Sequence, residues 1–298
     1  MRTHDKEHFF KYTSLQTAIR AIESKTFRWS APIKFNDPFD HQVGFKGDID
    51  RAAFVSAFAA SRERMIFSDM EPEGAPDSLS VWSLLELRKI RDRIPRAELA
   101  SVTREGAKDM AKGLALHIAK LTDQFHGLLA HSRLFCVSET HDNIVMWSHY
   151  ADQHKGAVFK LRCIDAIDNS LLAARKVSYS SEFLSFPSVD TYAQHLACEK
   201  AFDFNSLFWN MALTKHEDWS YEREWRVHKA LLPDESFGDG YSSIREDERV
   251  FDAILLGCRM DQPEVDVILN LVKRHLPRMR IYRGKQSKEK FAIEFDEL

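Results

Sequence analysis

A two-residue alternation of apolar and polar side chains runs through residues 219–227, late in the chain. The apolar side, which includes one arginine, consists of Trp219, Tyr221, Arg223, Trp225 and Val227. The polar side consists of Ser220, Glu222, Glu224, Arg226 and His228. Alternation with many aromatic residues predicts a β-strand that places one face against a core. The competing interpretation is a helix, in which Glu222 and Arg226 form an i,i+4 surface pair.

Apolar positions elsewhere along the chain repeat with the spacing of strands or of helices. The other predicted strands span residues 9–13, 27–30, 134–138, 157–161, 176–179, 251–256, 279–283 and 291–295. The predicted helices span residues 15–24, 49–67, 79–94, 96–129, 144–152, 188–214 and 262–276. Ser14, Asp48 and Ser188 are predicted N-terminal caps, because their side-chain oxygens can accept hydrogen bonds from free helical amides.

The segment 48–132 contains predicted helices and no predicted strand. Because strands precede and follow it, we predict a single α+β domain over residues 1–298, in which a helical insertion over 48–132 interrupts a mixed sheet. Positive charge is concentrated in the middle of this insertion, at Arg88, Lys89, Arg91, Arg93 and Arg96. Such a run forms a solvated helix face or a binding patch.

Composition is that of an ordinary globular protein, with 44% hydrophobic and 29% charged residues in 298. The net charge of −3 offers no global argument for nucleic-acid binding. The four cysteines are widely spaced, which is typical of reduced thiols rather than of a zinc knuckle or a disulfide framework. No apolar run approaches about 20 residues, and the first seven residues are polar, so we expect a cytoplasmic protein with no membrane partner.

Two glutamates at positions i and i+2 can divide the work of catalysis. One of Glu222 and Glu224 can act as a base or stabilise a cation, while the other orients a hydroxyl group. Their mutual repulsion raises one pKa, and the neighbouring Arg226 opposes that shift. The alternative is an exposed, charged strand face that pairs with basic residues of a neighbouring strand.

Two further segments combine polar and aromatic side chains. The turn at Asn36 and Asp37 either locks two strands together or lines a pocket, since its oxygens need partners if they are buried. Trp147 and Tyr150 are core residues or a platform for a ligand. We predict no metal site, because His149 and His154 are spaced for neither face of a helix. The chain contains no GxGxxG and no GxxxxGK[ST] motif, which argues against a Rossmann or P-loop enzyme.

Several short motifs, in order along the chain, resemble a bacterial family, the domain-of-unknown-function family numbered 2971. They are Phe10-Lys11-Tyr12-x-Ser14-Leu15, Phe35-Asn36-Asp37-Pro38-Phe39-Asp40, Phe135-Cys136-x-Ser138-Glu139, Met146-Trp147-Ser148-x-Tyr150-Ala151 with Lys155-Gly156, and Trp219-x-Tyr221-Glu222-x-Glu224-Trp225-Arg226. The resemblance covers nearly the whole chain apart from the helical insertion. It implies a family and no activity.

A first strand with Tyr12, a second strand that ends at Ser30, and a late Glu-x-Glu resemble the split-sheet ADP-ribosyltransferases. This resemblance implies a mixed, split β-sheet and NAD as the substrate. Tyr12 then contacts NAD, Ser30 supports the pocket, Glu224 is catalytic and Glu222 assists it. Tyr12 stands where these enzymes commonly have His or Arg. The other NAD-binding residues that we expect are Asn36, Asp37, Trp147, Tyr150 and Arg226.

The leading hypothesis is therefore an enzyme that cleaves NAD, and either modifies a nucleic-acid or protein acceptor or hydrolyses NAD. The resemblance also implies an effector of bacterial toxin or phage-defence systems. One alternative is a non-catalytic module that binds nucleic acid or protein through the basic residues of the insertion or of the C-terminal quarter. Another is a magnesium-dependent nuclease that uses Asp37, Asp40, Glu222 and Glu224. For the enzyme, we predict that Tyr12, Asn36, Trp147 and Glu224 line one cleft.

Overall fold

The computed structural model describes residues 2–41, 43–44, 50–73, 78–182, 184–185, 188–232, 235 and 237–298. The chain divides into two compact units. Unit 1 consists of Met1–His41, Leu128–Glu182 and Leu213–Leu298, and unit 2 consists of Gln42–Gly127 and Phe183–Ala212.

Strands and helices alternate in a mixed α+β arrangement. The strands are β1 His8–Thr13, β2 Thr26–Ser30, β3 Val43–Gly44, β4 Ser132–Ser138, β5 Ala157–Arg162, β6 Arg175–Lys176, β7 Ser178–Ser180, β8 Leu184–Ser185, β9 Thr214–His216, β10 Glu224–Ala230, β11 Tyr241–Arg245, β12 Phe251–Leu256, β13 Arg280–Gln286 and β14 Ile293–Glu297. The helices are α1 Leu15–Ser24, α2 Arg51–Ile66, α3 Ser78–Ile90, α4 Arg96–Ala130, α5 Ile144–Tyr150, α6 Val189–Leu196, α7 Phe204–Leu213 and α8 Gln262–His275.

Unit 1 is built on a large mixed sheet. Its strand order is β11-β2-β4-β1-β5-β12-β13-β14, and β10 pairs with both β4 and β6. The pair β12–β13 is parallel, and the other pairs of this sheet are antiparallel. A crossover through α8 makes the parallel pair possible, since parallel neighbours need a long connection.

The two faces of the sheet carry different residues. One face holds the main core, in which alternate strand residues such as Phe9, Phe135 and Ile254 lie with the apolar sides of α1 and α8. The other face carries a smaller cluster with Tyr12 and Trp147, together with residues of α5. Burial of large side chains on both faces fixes the register, because a slip of one residue would exchange the two sets.

A close backbone contact at Gly257 holds the turn that follows α5. The Gly257 amide donates to the Gly156 carbonyl at 2.9 Å. A Cβ atom on Gly257 would lie 2.0 Å from the carbonyl oxygen of His154, which is backbone and cannot rotate away. Only glycine therefore fits here.

Replacing Gly257 with alanine is expected to lower the free energy of unfolding by about 1–3 kcal/mol, as overpacking does in other cores. Urea unfolding measures the change. Gly113→Ala is the matched control, because a Cβ at that position in α4 meets no atom within 4 Å. The control is expected to raise stability by about 0.5–1 kcal/mol. A similar sign for both variants would contradict the close contact.

Unit 2 is mainly helical. Its core contains Phe54, Phe58, Leu114, Tyr192 and Leu196, which come from α2, α4 and α6. The basic residues that were predicted to form a solvated face or a binding patch largely form hydrogen bonds and ion pairs with backbone carbonyls and carboxylates of this unit. Arg88 donates to the Met65 and Met70 carbonyls, and Arg96 pairs with Glu63 at 2.6 Å.

Several predicted elements are confirmed. Ser14 caps α1, Ser188 caps α6, and β12 occupies the predicted 251–256. The predicted helix over 188–214 is wrong as a continuous element, because α6 ends at Leu196 and α7 begins at Phe204. Cys198, in between, has a φ of 63°, which is incompatible with a continuing helix. The predicted cap Asp48 lies outside the described residues, and Asp50 caps α2.

The predicted helical insertion corresponds only partly to unit 2. Most of the predicted insertion, 48–132, falls in unit 2, which also includes residues 183–212. The sequence offered no reason to associate that later segment with the insertion. A single domain over 1–298 stays a prediction.

Candidate functional site

The pocket of unit 1 lies where two strands separate along one edge of β4. Strand β1 pairs with β4 at Phe10–Ser138, whereas β2 pairs with it at Ser30–Leu134. Cys136 lies between these contacts, and its carbonyl accepts a hydrogen bond from Lys11 Nζ at 2.7 Å. A side chain thus replaces a strand amide at this point of the sheet. The divergence leaves a cavity of about 380 Å³.

Among the residues that the structure describes, eighteen line the cavity. They are Phe10, Lys11, Tyr12, Arg28, Ser30, Lys34, Phe35, Asn36, Leu134, Cys136, Val137, Ser138, Met146, His149, Tyr150, Lys215, Glu222 and Glu224. Six residues singled out from the sequence are among them: Tyr12, Ser30, Asn36, Tyr150, Glu222 and Glu224.

Three residues predicted for the site do not line the cavity. Trp147 is fully buried, with its ring edge-on to Tyr12 at 5.7 Å, and its Nε1 donates to the His141 carbonyl. Asp37 accepts from the Phe39 amide within its own turn, and Arg226 is fully buried. The predicted convergence on one cleft is thus right for Tyr12, Asn36 and Glu224, whereas Trp147 belongs to the core beside Tyr12.

The acidic segment is not one strand, as the alternation predicted. Residues Glu217–Glu222 form a 3₁₀ helix, Arg223 adopts the left-handed conformation with φ 45°, and β10 begins at Glu224. The assigned faces are right for Glu224, Arg226 and their neighbours in β10, since Trp225 and Val227 enter the main core. They are wrong for residues 219–223.

Glu222 reaches the cavity because its turn is held from the β4 side. Its backbone carbonyl accepts from Ser138 Oγ at 2.6 Å, and the preceding Tyr221 carbonyl accepts from the Asn143 amide at 3.2 Å. Glu224 is held from the other side, because its amide donates to the Tyr179 hydroxyl at 2.8 Å. Both carboxylates are therefore fixed by backbone contacts.

Lys215 joins the two carboxylates. Its Nζ lies 2.6 Å from Glu222 Oε2 and 3.1 Å from Glu224 Oε2, and it also lies over the Trp219 ring at 4.7 Å. All three charged side chains are buried, with 4–6% of each residue exposed. A buried carboxylate pair needs such a cation, because the repulsion between the carboxylates is only weakly screened there.

Arg226 joins Glu224 to Asp40 through hydrogen bonds of its guanidinium group. Its Nε donates to Glu224 Oε1 at 2.8 Å, and its two terminal nitrogens donate to the Asp40 carboxylate at 3.0 and 2.6 Å. His41 Nε2 lies 3.2 Å from Arg226 Nη1. The planar guanidinium thus fixes Glu224 against Asp40 in a two-point geometry.

The two glutamates differ in protonation. Burial alone would raise the pKa of Glu224, but the charges of Arg226 and Lys215 hold that pKa far below its ordinary value. Burial and the charge of Glu224 raise the pKa of Glu222, against the opposing effect of Lys215. The surrounding charges thus favour the ionised form of Glu224, and Glu222 is the carboxyl group of the pair that more readily takes up a proton.

Tyr150 connects Glu222 with the rim of the cavity. Its hydroxyl donates to Glu222 Oε1 at 2.6 Å and accepts from Asn36 Nδ2 at 3.3 Å. Burial and the Glu222 charge raise the pKa of Tyr150, so the phenol stays protonated as a donor. Asn36 is exposed and marks the entrance.

Several site residues were missed by the sequence reasoning. Lys215 follows the predicted helix 188–214 and was not considered, and neither were Lys11, Arg28 and His41 as pocket residues. Asp40 entered only as a possible metal ligand. The contact between Asp40 and Arg226 spans 186 positions, which no local pattern reports. A signal in the sequence was the place of Arg226 within a strand rich in aromatic residues, because a guanidinium that such a strand buries requires acidic partners.

The metal-dependent alternative finds no support in the donor geometry. Within the described ranges, no three or more His, Cys, Asp or Glu side chains are grouped so that they could hold a metal ion. Asp40 is occupied by Arg226, and Glu222 and Glu224 are bridged by Lys215. Separately, no helix among the described residues combines the length and apolar character needed to cross a membrane.

Comparison with known proteins supports the primary family resemblance. Residues 146–227 match the family model described as a protein of unknown function (DUF2971). This segment runs from α5 to β10 and so contains Tyr150, Lys215, Glu222, Glu224 and Arg226. Searches of curated proteins and of solved structures returned no match.

Proposed function

We propose that this chain, whose residues 146–227 match the DUF2971 family, is an ADP-ribosyltransferase-like enzyme that binds NAD in the unit 1 pocket and cleaves its N-glycosidic bond. The observation that carries the proposal is the position of Glu224, a buried carboxylate at the wall of a cavity of about 380 Å³ that is held by ion pairs with Arg226 and Lys215. The divergence of β1 and β2 along β4 supports the split sheet that the resemblance implies.

The charge of the acidic cluster suits this reaction. Three carboxylates, Glu222, Glu224 and Asp40, share two cations, Lys215 and Arg226, which leaves one excess negative charge when all are ionised. Breaking the bond between ribose C1′ and the nicotinamide nitrogen sends the bonding electrons to that nitrogen. Positive charge then develops on the ribose, where a fixed anion stabilises the transition state.

Glu222 provides the second function. A hydroxyl nucleophile, from water or from a macromolecule, attacks C1′ and transfers its proton to the Glu222 carboxylate. A carboxyl group with a raised pKa is suited to this role, because that pKa lies closer to the pH at which the enzyme works. Tyr150 orients Glu222 through its 2.6 Å hydrogen bond. Water as nucleophile gives NAD hydrolysis, and a nucleic-acid or protein hydroxyl gives ADP-ribosylation.

Replacing Glu224 with glutamine is expected to lower the rate of nicotinamide release from NAD by about 10²–10³-fold, since one fixed transition-state contact is lost. Nicotinamide is measured by chromatography, and label from adenylate-labelled NAD on macromolecules separates transfer from hydrolysis. Glu294→Gln, an exposed carboxylate on β14, is the matched control and should retain full activity.

The effector role predicts that expression of the wild type slows bacterial growth and that expression of Glu224→Gln does not.

Tyr150→Phe leaves the ion pairs of Glu222 and Glu224 in place, so it tests the site without disturbing the buried charges. It is expected to slow the reaction about tenfold, because Glu222 loses a hydrogen-bond donor. Wild-type protein that leaves NAD intact, or a Glu224→Gln variant as active as wild type, would overturn the proposal.

A further inference from the structure

Three cations line the cavity on the side of β4 opposite to the carboxylates. Glu224 lies on β10, which pairs with one edge of β4, whereas β2, with Arg28, pairs with the other edge. Lys34 follows β2 in a short 3₁₀ helix, and Lys11 lies on β1. Charge is therefore distributed unevenly around the cavity: the carboxylates form a negative wall, and the three cations form a positive wall.

The positive wall differs from the carboxylate wall in its ion pairing. In the part of the chain that the structure describes, no carboxylate lies within 4.0 Å of the charged nitrogens of Lys11, Arg28 or Lys34. This contrasts with Lys215 and Arg226, each of which contacts two carboxylates. Burial lowers the pKa of Lys11, and this effect outweighs the opposing charges of Glu224 and Glu222, with which Lys11 forms no ion pair.

An aromatic ring and a carbonyl hold these cations in place. The Arg28 guanidinium lies 4.4 Å and Lys34 Nζ lies 5.7 Å from the centre of the Tyr241 ring, so one ring positions both. Lys11 Nζ donates to the Cys136 carbonyl and has two remaining N–H donors. Positioned cations without internal anions favour binding of an external anion.

We propose that Lys11, Arg28 and Lys34 form a subsite for the diphosphate group of a nucleotide. The inference rests on the proposed function, which places the cationic nicotinamide–ribose end at the carboxylates. A dinucleotide diphosphate carries one negative charge on each phosphate, and the opposite wall offers three positive charges. The ligand class is therefore a nucleoside diphosphate ester bound with its diphosphate towards β2, and a nucleoside without phosphates lacks the main contact.

The test is direct binding, independent of turnover. Calorimetry with ADP, inorganic pyrophosphate and adenosine as separate probes is expected to give an ADP affinity at least about tenfold above that of adenosine. The double variant Arg28→Gln/Lys34→Gln should lose about tenfold or more of the ADP and pyrophosphate affinity and leave that of adenosine unchanged. Raising the salt concentration should weaken ADP binding to wild type more than to the variant.

Lys273→Gln/Arg274→Gln is the matched control, because it removes two exposed charges of α8 and should bind all probes as wild type does. Equal binding of ADP by wild type and the Arg28/Lys34 variant would overturn the subsite, as would adenosine binding as tight as that of ADP. ADP binding that depends on Arg28 and Lys34, without any NAD cleavage, would support the subsite and overturn the proposed reaction. NAD cleavage unaffected by the double variant would do the reverse.

Discussion

Replacing Arg226 with methionine is expected to destabilise unit 1 by about 3–5 kcal/mol, because it leaves Asp40 and Glu224 as buried carboxylates without their shared cation. Arg226 is fully buried and makes four charge-assisted hydrogen bonds to these two residues. Methionine fills similar space, so the loss comes mainly from uncompensated charge rather than from a cavity. Urea unfolding followed by tryptophan fluorescence measures the change.

The matched control for this variant is Arg274→Met, an exposed arginine on α8, which is expected to change stability by less than about 0.5 kcal/mol. The double variant Arg226→Met/Asp40→Asn should recover part of the loss, because it removes the charge of one of the two buried carboxylates that Arg226 pairs with. A loss below about 1 kcal/mol for Arg226→Met would show that the pair is solvated, contrary to its burial.

Replacing Lys215 with methionine is expected to make stability strongly dependent on pH. Burial and Glu224 already raise the pKa of Glu222, and Lys215 opposes them, so its removal raises that pKa further. An acid whose folded pKa exceeds its unfolded value binds more protons when folded. Stability is then fully present below the unfolded pKa and falls as the pH rises towards the folded pKa.

The variant should therefore lose about 3–5 kcal/mol relative to wild type at about pH 8, and clearly less at about pH 5. Urea unfolding at both pH values measures the two differences. Lys273→Met, on the exposed side of α8, serves as the control and should show no such pH dependence. An equal loss at both pH values would mean that Glu222 does not take up the proton.

Local signals were sufficient for many elements of the fold. Ser14 and Ser188 were predicted correctly as helix caps, because capping depends on one side chain and the next three backbone amides. The continuous apolar run of β12 predicted a buried strand, and all six of its residues are buried. Glu224 and Arg226 were placed on one side of a strand by alternation alone.

The errors have physical causes that a local pattern does not contain. The alternation of aromatic residues extended the predicted strand back to Trp219, whereas residues Glu217–Glu222 form a 3₁₀ helix, whose end is set by Arg223 in the left-handed region. Neither glycine nor asparagine marks that position. Trp147 was assigned to the ligand, although aromatic side chains pack in cores more often than they bind ligands, and Trp147 belongs to the smaller core cluster. Lys215 and Asp40 join the site through tertiary contacts only.

The uneven support of β4 determines which side of the cavity can adapt to a ligand. Seven residue pairs tie β4 to β10, from Ser138 to Ser132, whereas its other edge meets β1 and β2 at one pair each. Few backbone bonds must therefore break to widen the gap at Cys136. We therefore expect the carboxylate wall on β10 to stay fixed when ligands of different size bind, and the wall formed by β1 and β2 to move.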